Sequence, residues 1–320
     1  MARQVLTLNQ ISVKGLERLP RDCYEIAREF SHPDAIPPRS PKVQPGDIAD
    51  SVRAIARAGA GVNNIPGAEC TKRGIPVFNS PGANANAVKE LVATGLLLGS
   101  RGVVDGIRYV DTLDGMDDGA EMHKTLEAHK KEFKGSELIG KTLGVVGLGA
   151  IGSLVAEMAL TMGMDVVGYD PALSVDAAWR LPSQVQKADT LSALFARCDY
   201  ITLHIPVLDA TRGLINAELL NAVRPGTCLL NFARQEIVDE PSLLAALESG
   251  KLRKYIADFP TPALIGREDV ILMPHIGAST DEAEDNCAIM AADQLRDFLE
   301  NGNIRNSVNF PTLLLDRVTG

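Results

Sequence analysis

A glycine-rich turn between a strand-like and a helix-like segment constrains the fold most strongly. The residues Gly147-Leu148-Gly149-Ala150-Ile151-Gly152 follow an apolar run at 142–147 and open a stretch, 151–162, whose apolar side chains repeat at helical spacing. Glycines let a helix begin directly after a strand and pack close to it, which is typical of a parallel βαβ unit. Further short apolar runs predict strands at 165–170, 200–205, 227–232, 255–259 and 270–274.

This alternation of strands with helices, such as the helix predicted at 240–248, favours an α/β fold with a doubly wound parallel sheet. The N-terminal third predicts a smaller α/β unit. Its strands are expected at 4–8, 35–39, 54–57 and 77–79.

Two helical segments flank the larger unit, one at 85–104 and a long one at 282–300. We therefore expect the chain to return at its end to the first domain. The larger domain, 101–284, would be inserted into a smaller one formed by 1–100 and 285–320, with the two helices as the hinge.

Composition excludes several classes of protein. The chain has 320 residues, of which 45% are hydrophobic and 23% are charged, as in a globular protein. A net charge of −9 argues against general nucleic-acid binding. Residues 90–104, the most apolar stretch, are too short for a membrane span, and the first residues lack the apolar core of a secretory signal. We expect a cytoplasmic protein with no nucleic-acid or membrane partner.

The charge is unevenly distributed. Residues 1–100 contain 12 Lys and Arg against 9 Asp and Glu, whereas the rest contain 20 against 32. A mildly basic third could meet a small anionic ligand, although composition alone favours ordinary surface variation. The five cysteines form no C-x-x-C pair, so we expect neither a disulfide framework nor a bound metal.

The glycine turn predicts a dinucleotide site, because Asp170 ends the next strand 18 residues after Gly152. Gly147 allows the tight turn, Gly149 lets a pyrophosphate approach the backbone, and Gly152 lets helix and strand pack closely. The helix N-terminus offers N–H groups to the phosphates. Asp170 would bind the ribose hydroxyls and repel a 2′-phosphate, which predicts NAD as the cofactor rather than NADP.

Several further stretches form motifs, which are the run 133–142, Arg57–Ile65, His204-Ile205-Pro206 with Thr211, Asn231-Phe232-Ala233-Arg234 and Pro274–Thr280. These motifs resemble those of the D-2-hydroxyacid dehydrogenases, and the resemblance covers nearly the whole chain. Within this family the D-3-phosphoglycerate dehydrogenase branch is most similar, through Pro38-Arg39-Ser40, His275–Thr280 and the tail 302–311. The resemblance implies an NAD-binding Rossmann domain at 101–284, inserted into a smaller flavodoxin-like substrate-binding domain. It also implies a short form without a C-terminal regulatory domain.

The chemistry of 2-hydroxy acids agrees with the residues that the resemblance selects. Oxidation at C2 needs a group to take the hydroxyl proton, for which His is the usual side chain, and a cation to hold the carboxylate, which Arg does with a bidentate fork. The resemblance implies that His275 is the acid/base and Arg234 the clamp. It implies these cofactor-binding residues: Gly147, Gly149, Ala150, Ile151, Gly152, Asp170, His204, Pro206, Thr211, Ala233, Arg234, Asp258, His275 and Gly277.

The sequence departs from the family at one catalytic position. The family places a Glu that pairs with the His shortly after a strand with an Asp-Val-Phe core. Here that position falls on Pro262 or Ala263, neither of which ionises. Glu268 and Asp269 lie further on, in the lead-in to the next strand. Asp258 matches a family aspartate near the nicotinamide and is the other carboxylate that could support His275.

By the same resemblance, Arg39, Arg57, Gly59 and Asn84 bind substrate together with Arg234 and His275. A phosphorylated substrate needs cations, and Arg39 favours D-3-phosphoglycerate, although exposure on a solvated face is an equally good interpretation of Arg57.

The resemblance leaves alternatives open. Within the same enzyme class they are reductases of glyoxylate, hydroxypyruvate or another 2-oxo acid. The missing Glu keeps open a non-catalytic NAD-gated binding protein. The family also implies a homodimer formed through the nucleotide domain, for which 102–135 is the expected interface region.

Overall fold

The computed structural model describes residues 2–39 and 41–315. Ser40 and the last five residues of the predicted range 285–320 lie outside the described residues. The chain forms two compact units: the described residues of Met1–Ala87 with those of Ala278–Gly320, and Val88–Gly277. The helices of the described chain are α1 (Val13–Leu16), α2 (Gly67–Lys72), α3 (Ala85–Ser100), α4 (Val103–Asp111), α5 (Gly119–His129), α6 (Ala150–Thr161), α7 (Val175–Ala178), α8 (Leu191–Arg197), α9 (Ala217–Ala222), α10 (Glu240–Glu248) and α11 (Asp281–Asn301).

The smaller unit contains a five-stranded parallel sheet with the strand order of a flavodoxin-like fold, β2-β1-β3-β4-β5. Its long helix α11 packs against α1 and β4. Buried apolar side chains of α11, among them Ala291 and Leu295, share a core with Val5 and Phe78. The strands are β1 (Arg3–Leu6), β2 (Tyr24–Ala27), β3 (Ala35–Ile36), β4 (Ala54–Ala56) and β5 (Val77–Phe78).

The larger unit contains a seven-stranded parallel sheet in the order β12-β11-β10-β9-β6-β7-β8, which is the Rossmann order with one added strand. The order reverses between β6 and β9, where such sheets open a ligand crevice at the carboxyl ends of the strands. The predicted fold class is therefore confirmed. The strands are β6 (Thr142–Val146), β7 (Asp165–Tyr169), β8 (Gln186–Lys187), β9 (Tyr200–Leu203), β10 (Thr227–Asn231), β11 (Leu252–Ala257) and β12 (Val270–Leu272).

Two glycines bring α3 against this sheet. A Cβ on Gly95 would lie 2.9 Å from the Phe232 ring, and one on Gly99 would lie 2.7 Å from the Ile256 side chain. Most of α3 consequently belongs to the larger unit, and the units are divided after Ala87 and Gly277 instead of after residues 100 and 284.

Most predicted elements are present with shifted ends. The strand predicted at 35–39 ends at Ile36, because Pro37 and Pro38 have no N–H to donate. The helix predicted at 85–104 ends at Ser100, and a separate helix, α4, begins at Val103, directly after Gly102. The strand predicted at 255–259 begins earlier, at Leu252.

Among the described helices, none combines the length and the apolarity that crossing a bilayer requires. The described residues also contain no group of three or more His, Cys, Asp or Glu side chains placed to hold a metal ion.

Candidate active site

The predicted site residues of the larger unit lie where its strands end. The glycine turn follows β6, Asp170 follows β7 and His204 follows β9, while Arg234, Asp258 and His275 come shortly after β10, β11 and β12. Because all these strands are parallel, their carboxyl ends meet at one edge of the sheet. The topology therefore gathers the predicted cofactor and catalytic residues along a single edge.

The glycine turn is packed closely on one side and open on the other. Gly147 has φ of 90°, and a Cβ there would lie 2.5 Å from the carbonyl oxygen of His204. A Cβ on Gly152 would lie 1.9 Å from the carbonyl oxygen of Gly147, whereas one on Gly149 would meet nothing within 4 Å. Gly149 precedes α6, and its side of the turn leaves the helix N–H groups accessible. This arrangement fits a pyrophosphate at the helix N-terminus.

Asp170, predicted to bind the ribose, also holds the glycine turn. Its Oδ2 accepts a hydrogen bond from the Leu148 N–H at 2.9 Å, and its Oδ1 accepts one from the Ala172 N–H at 2.9 Å. A carboxylate has about four acceptor positions, so these two bonds leave capacity for hydroxyl groups. Replacing Asp170 would therefore alter the turn as well as the charge.

His204 presents an unpartnered nitrogen beside the turn. Its Nε2 is 2.9 Å from the Thr202 hydroxyl, and its Nδ1 is buried without a hydrogen-bond partner among the described residues. Burial lowers the pKa of His204 to about 3, so the imidazole is neutral at ordinary pH. A buried polar atom without a partner is costly, which supports a ligand at this position. Thr211 serves the loop itself, because its hydroxyl donates to the Pro206 carbonyl at 2.6 Å.

The backbone carrying Arg234 is held by a buried asparagine. Asn231 accepts from the Ala233 N–H at 3.1 Å and donates to the Arg234 carbonyl at 2.9 Å. Its amide also donates to the Tyr255 hydroxyl at 3.2 Å. Both Asn231 and Tyr255 are buried. The sequence contains Asn231 within a family motif, but its supporting role and the Tyr255 contact were not predicted.

Asp258 holds the turn that carries His275. Its carboxylate accepts from the Ile276 N–H at 2.8 Å and the Gly277 N–H at 2.6 Å, and its carbonyl accepts from the His275 N–H at 3.0 Å. His275 has φ of 57°, in the left-handed region that non-glycine residues rarely adopt. The buried carboxylate therefore fixes an uncommon backbone conformation at the predicted acid/base.

No carboxylate among the described residues bonds to the His275 imidazole. Asp269 is engaged by Arg267 through two hydrogen bonds of 2.9 Å, which hold the pKa of Asp269 below its usual range. Glu268 is exposed, and Asp258 uses its oxygens on backbone groups. The neighbour of the imidazole is instead Phe259, whose ring centroid lies 4.8 Å from that of His275. Neither Asp269 nor Asp258 takes the part of the missing Glu.

In the smaller unit the structure brings Arg39, Arg57 and Gly59 together. The Arg57 Nε donates to the Arg39 carbonyl at 3.2 Å, and a Cβ on Gly59 would lie 2.2 Å from the Arg57 guanidinium. Side chains of Asn9 and Asn64 also bond to the Arg39 backbone. The Arg39 guanidinium forms an ion pair with Glu284, at the start of α11.

Asn84 lies in a separate loop, directly before α3. Its Oδ1 is buried without a hydrogen-bond partner among the described residues, as expected for a group that contacts a ligand.

Two glycine variants distinguish a cofactor site from a merely tight turn. We expect Gly149→Ala to leave the melting temperature unchanged and to weaken NADH binding by ~10- to 100-fold. This change corresponds to the loss of one charge-assisted hydrogen bond between a backbone N–H and a phosphate oxygen. Gly152→Ala should also lower stability by ~1–3 kcal/mol, because its methyl group overlaps the Gly147 carbonyl. Thermal melting and fluorescence titration with NADH measure both effects.

The control is Gly46→Ala, since a Cβ there meets nothing within 4 Å. Normal NADH affinity in Gly149→Ala would show that the turn only serves packing.

Comparison with known proteins identifies relatives of this chain. D-3-phosphoglycerate dehydrogenase from Synechocystis sp. is 37% identical over 83% of this chain and 46% of its own length, and that from Rattus norvegicus is 32% identical over 97% and 57%. The chain thus spans about half the length of the curated relatives it matches. The NAD⁺-bound 3-phosphoglycerate dehydrogenase of Entamoeba histolytica is 28% identical, with a TM-score of 0.76 over 97% of this chain and 99% of that one.

Rhodotorula graminis D-mandelate dehydrogenase, 23% identical with a TM-score of 0.81 over 98% of this chain and 99% of that one, shares the fold. The family model of the NAD-binding domain of D-isomer specific 2-hydroxyacid dehydrogenases matches residues 110–277. The predicted cofactor, NAD, and the predicted resemblance are thereby confirmed, and the chain belongs to the D-isomer specific 2-hydroxyacid dehydrogenase family.

Proposed function

We propose that this protein is an NAD-dependent dehydrogenase that oxidises D-3-phosphoglycerate to 3-phosphohydroxypyruvate, the first step of phosphorylated serine biosynthesis. The observation that carries the proposal is the pair of braced turns holding Arg234 and His275 at the sheet edge that also bears the glycine turn. The names of the similar relatives support the substrate. A phosphorylated metabolite and NAD also favour a cytoplasmic location.

The proposed mechanism divides the work between two side chains. NAD bound at the glycine turn supplies the acceptor for the hydride that leaves C2. Arg234 holds the substrate carboxylate in a bidentate fork and polarises the oxygen on C2. His275 takes the hydroxyl proton during oxidation and returns it in the reverse direction. Its side chain is exposed, so the proton can pass on to solvent.

The phosphate is assigned to Arg39 and Arg57. The side chains of Asn9 and Asn64 bond to the Arg39 backbone, so the Arg39 side chain extends from a fixed position. Its ion pair with Glu284 is partly exposed, and exposed pairs contribute only ~0–1 kcal/mol. A phosphate dianion can therefore replace Glu284 as the partner of the Arg39 guanidinium with little loss of free energy.

A panel of D-2-hydroxy acids with and without phosphate tests the proposed function by the NADH that each produces. A preference for glyoxylate or hydroxypyruvate in the reductive direction would support the alternative enzyme. NADH binding without turnover on any substrate would support an NAD-gated binding protein, for which the missing Glu is the favouring observation.

We expect His275→Ala to lower kcat by ~10²–10⁴-fold, the usual contribution of positioned proton transfer, while the Kd for NADH stays near that of the wild type. Arg234→Lys should also reduce kcat/KM, because an ammonium group cannot form the bidentate clamp. Steady-state kinetics and NADH titration measure the two effects. His32→Ala, at an exposed histidine of the smaller unit, is the matched control. Near-normal turnover in His275→Ala would assign proton transfer to another group.

We expect Arg39→Ala to raise KM for D-3-phosphoglycerate by ~10- to 100-fold while barely changing kinetics with unphosphorylated hydroxy acids. The lost contact is remote from C2 and is made equally in the ground and transition states, so kcat should change little. Arg53→Ala, at an exposed arginine of the same unit, is the control. Equal loss on both kinds of substrate would show that Arg39 is structural.

We also propose that two copies associate through residues 102–135. Tyr109 packs on His129 and Phe133, at centroid distances of 5.1 and 5.4 Å, which fixes one side of α4. An exposed apolar stripe runs along the helix at Val103, Ile107 and Val110, with exposures of 41%, 59% and 54%. An apolar stripe of this kind favours an interface.

Ile107→Glu should convert a dimer into a monomer, because a charge in an apolar interface is costly. Sedimentation or light scattering reads the mass. Val175→Glu, at a 72% exposed position on α7, adds the same charge elsewhere and should leave the mass unchanged. A monomeric wild type, or a dimeric Ile107→Glu variant, would contradict this interface.

A further inference from the structure

The two proposed catalytic side chains share one aromatic neighbour. The Phe259 ring lies 4.8 Å from the His275 ring, centroid to centroid, at an interplanar angle of 53°. The Arg234 guanidinium carbon lies 5.6 Å from the centroid of the same ring. Both distances lie within the range of attractive ring–ring and cation–π contacts. One ring therefore contacts the imidazole and the guanidinium at once.

We propose that Phe259 is a positioning residue whose ring holds the His275 imidazole and the Arg234 guanidinium in their working orientations. The proposal rests on the proposed function, which makes these two groups the acid/base and the carboxylate clamp. A phenyl ring cannot exchange a proton or donate a conventional hydrogen bond, so Phe259 acts through its two neighbours.

The His275 side chain needs such a neighbour. Its backbone is fixed through Asp258, but the imidazole forms no hydrogen bond or ion pair with the described residues, and the side chain is exposed. A side chain held only at its backbone samples several rotamers. Contact with a half-buried ring restricts the imidazole, and holding a base close to its working geometry is a large part of its catalytic effect.

The Arg234 guanidinium is held by a hydrogen bond and by the Phe259 ring. Its Nη1 donates to the Ala233 carbonyl at 2.7 Å, which secures one edge of the guanidinium. The Phe259 ring contacts the same group through its negative face, which attracts a cation without using its N–H donors. The ring contact thus orients the plane of the Arg234 guanidinium and leaves N–H donors available to bind a carboxylate.

The backbone next to the ring is firmly placed. Phe259 directly follows Asp258, whose N–H donates to the Asn231 carbonyl at 3.2 Å and whose carbonyl accepts from the His275 N–H at 3.0 Å. Nearby carboxylates are engaged elsewhere, since Glu240 accepts from the Thr261 hydroxyl and Asp269 binds Arg267. Phe259, in contrast, contacts both His275 and Arg234.

The test compares Phe259→Leu with Phe259→Tyr. In the leucine variant, we expect kcat to fall and KM for the best hydroxy acid of the panel to rise, together lowering kcat/KM by ~10-fold, as loss of an aromatic pair implies. The Kd for NADH should not change. Phe259→Tyr keeps the ring and should restore most of the activity. Phe310→Leu, at a half-buried phenylalanine of the smaller unit, is the control for the same change elsewhere.

Proton NMR of the histidine rings reads the contact independently of activity. The chain has five histidines, so their ring signals can be assigned by substitution. Phe259→Leu should remove the ring-current shift of the His275 signals and leave the other four in place. Phe259→Met provides a second ring-free variant, and thermal melting shows whether each variant is folded.

Unchanged His275 signals in a folded leucine variant would overturn the contact. Shifted signals with unaltered kcat and KM would overturn the positioning role. If the wild type turns over none of the panel, the proposed function fails. The NMR comparison then still decides whether Phe259 orders the imidazole. Unchanged imidazole mobility in the leucine variant would overturn the inference.

Discussion

Asp258 connects the ends of three neighbouring strands, through its backbone and its buried carboxylate. Its backbone N–H bonds to Asn231 at the end of β10, and its carboxylate oxygens take the two N–H groups that follow His275. Asp258 is 1% exposed, and a carboxyl group buried to that extent is tolerated only when it is well paired or hydrogen-bonded. Loss of any of these contacts would therefore be costly. The left-handed backbone of His275 is a consequence of satisfying that carboxylate.

The same principle recurs along the sheet edge with different chemistry. Asn231 braces the Arg234 turn, Asp170 braces the glycine turn, and Thr211 braces the loop at Pro206. In each case a short polar side chain bonds to the backbone of the segment that bears the functional group. Loops that bear functional side chains need this support, because without it they would be the least stable segments of the domain.

The sequence predicts most of the framework, for physical reasons that can be named. Strands covered on both faces are continuous apolar runs, so β6, β9 and β10 were recognised, whereas β8 (Gln186–Lys187) is short and exposed and has no such signal. The family resemblance selects the candidate site residues, and in the larger unit their order places them after strands. Their contacts cannot be predicted from the sequence, since the pair Arg39–Glu284 joins residues 245 positions apart and depends on how α11 packs.

The missing Glu shows how far sequence reasoning extends at this site. A sequence can reveal that Pro262 and Ala263 do not ionise, but which group lies beside the imidazole depends on the path of the loop after β11. In the structure that group is an aromatic ring and not an acid. A carboxylate partner would occupy one imidazole nitrogen, whereas a ring contacts the imidazole and leaves both nitrogens free. An imidazole held in this way can exchange protons through either nitrogen, so its orientation and its hydrogen bonding are controlled by different neighbours.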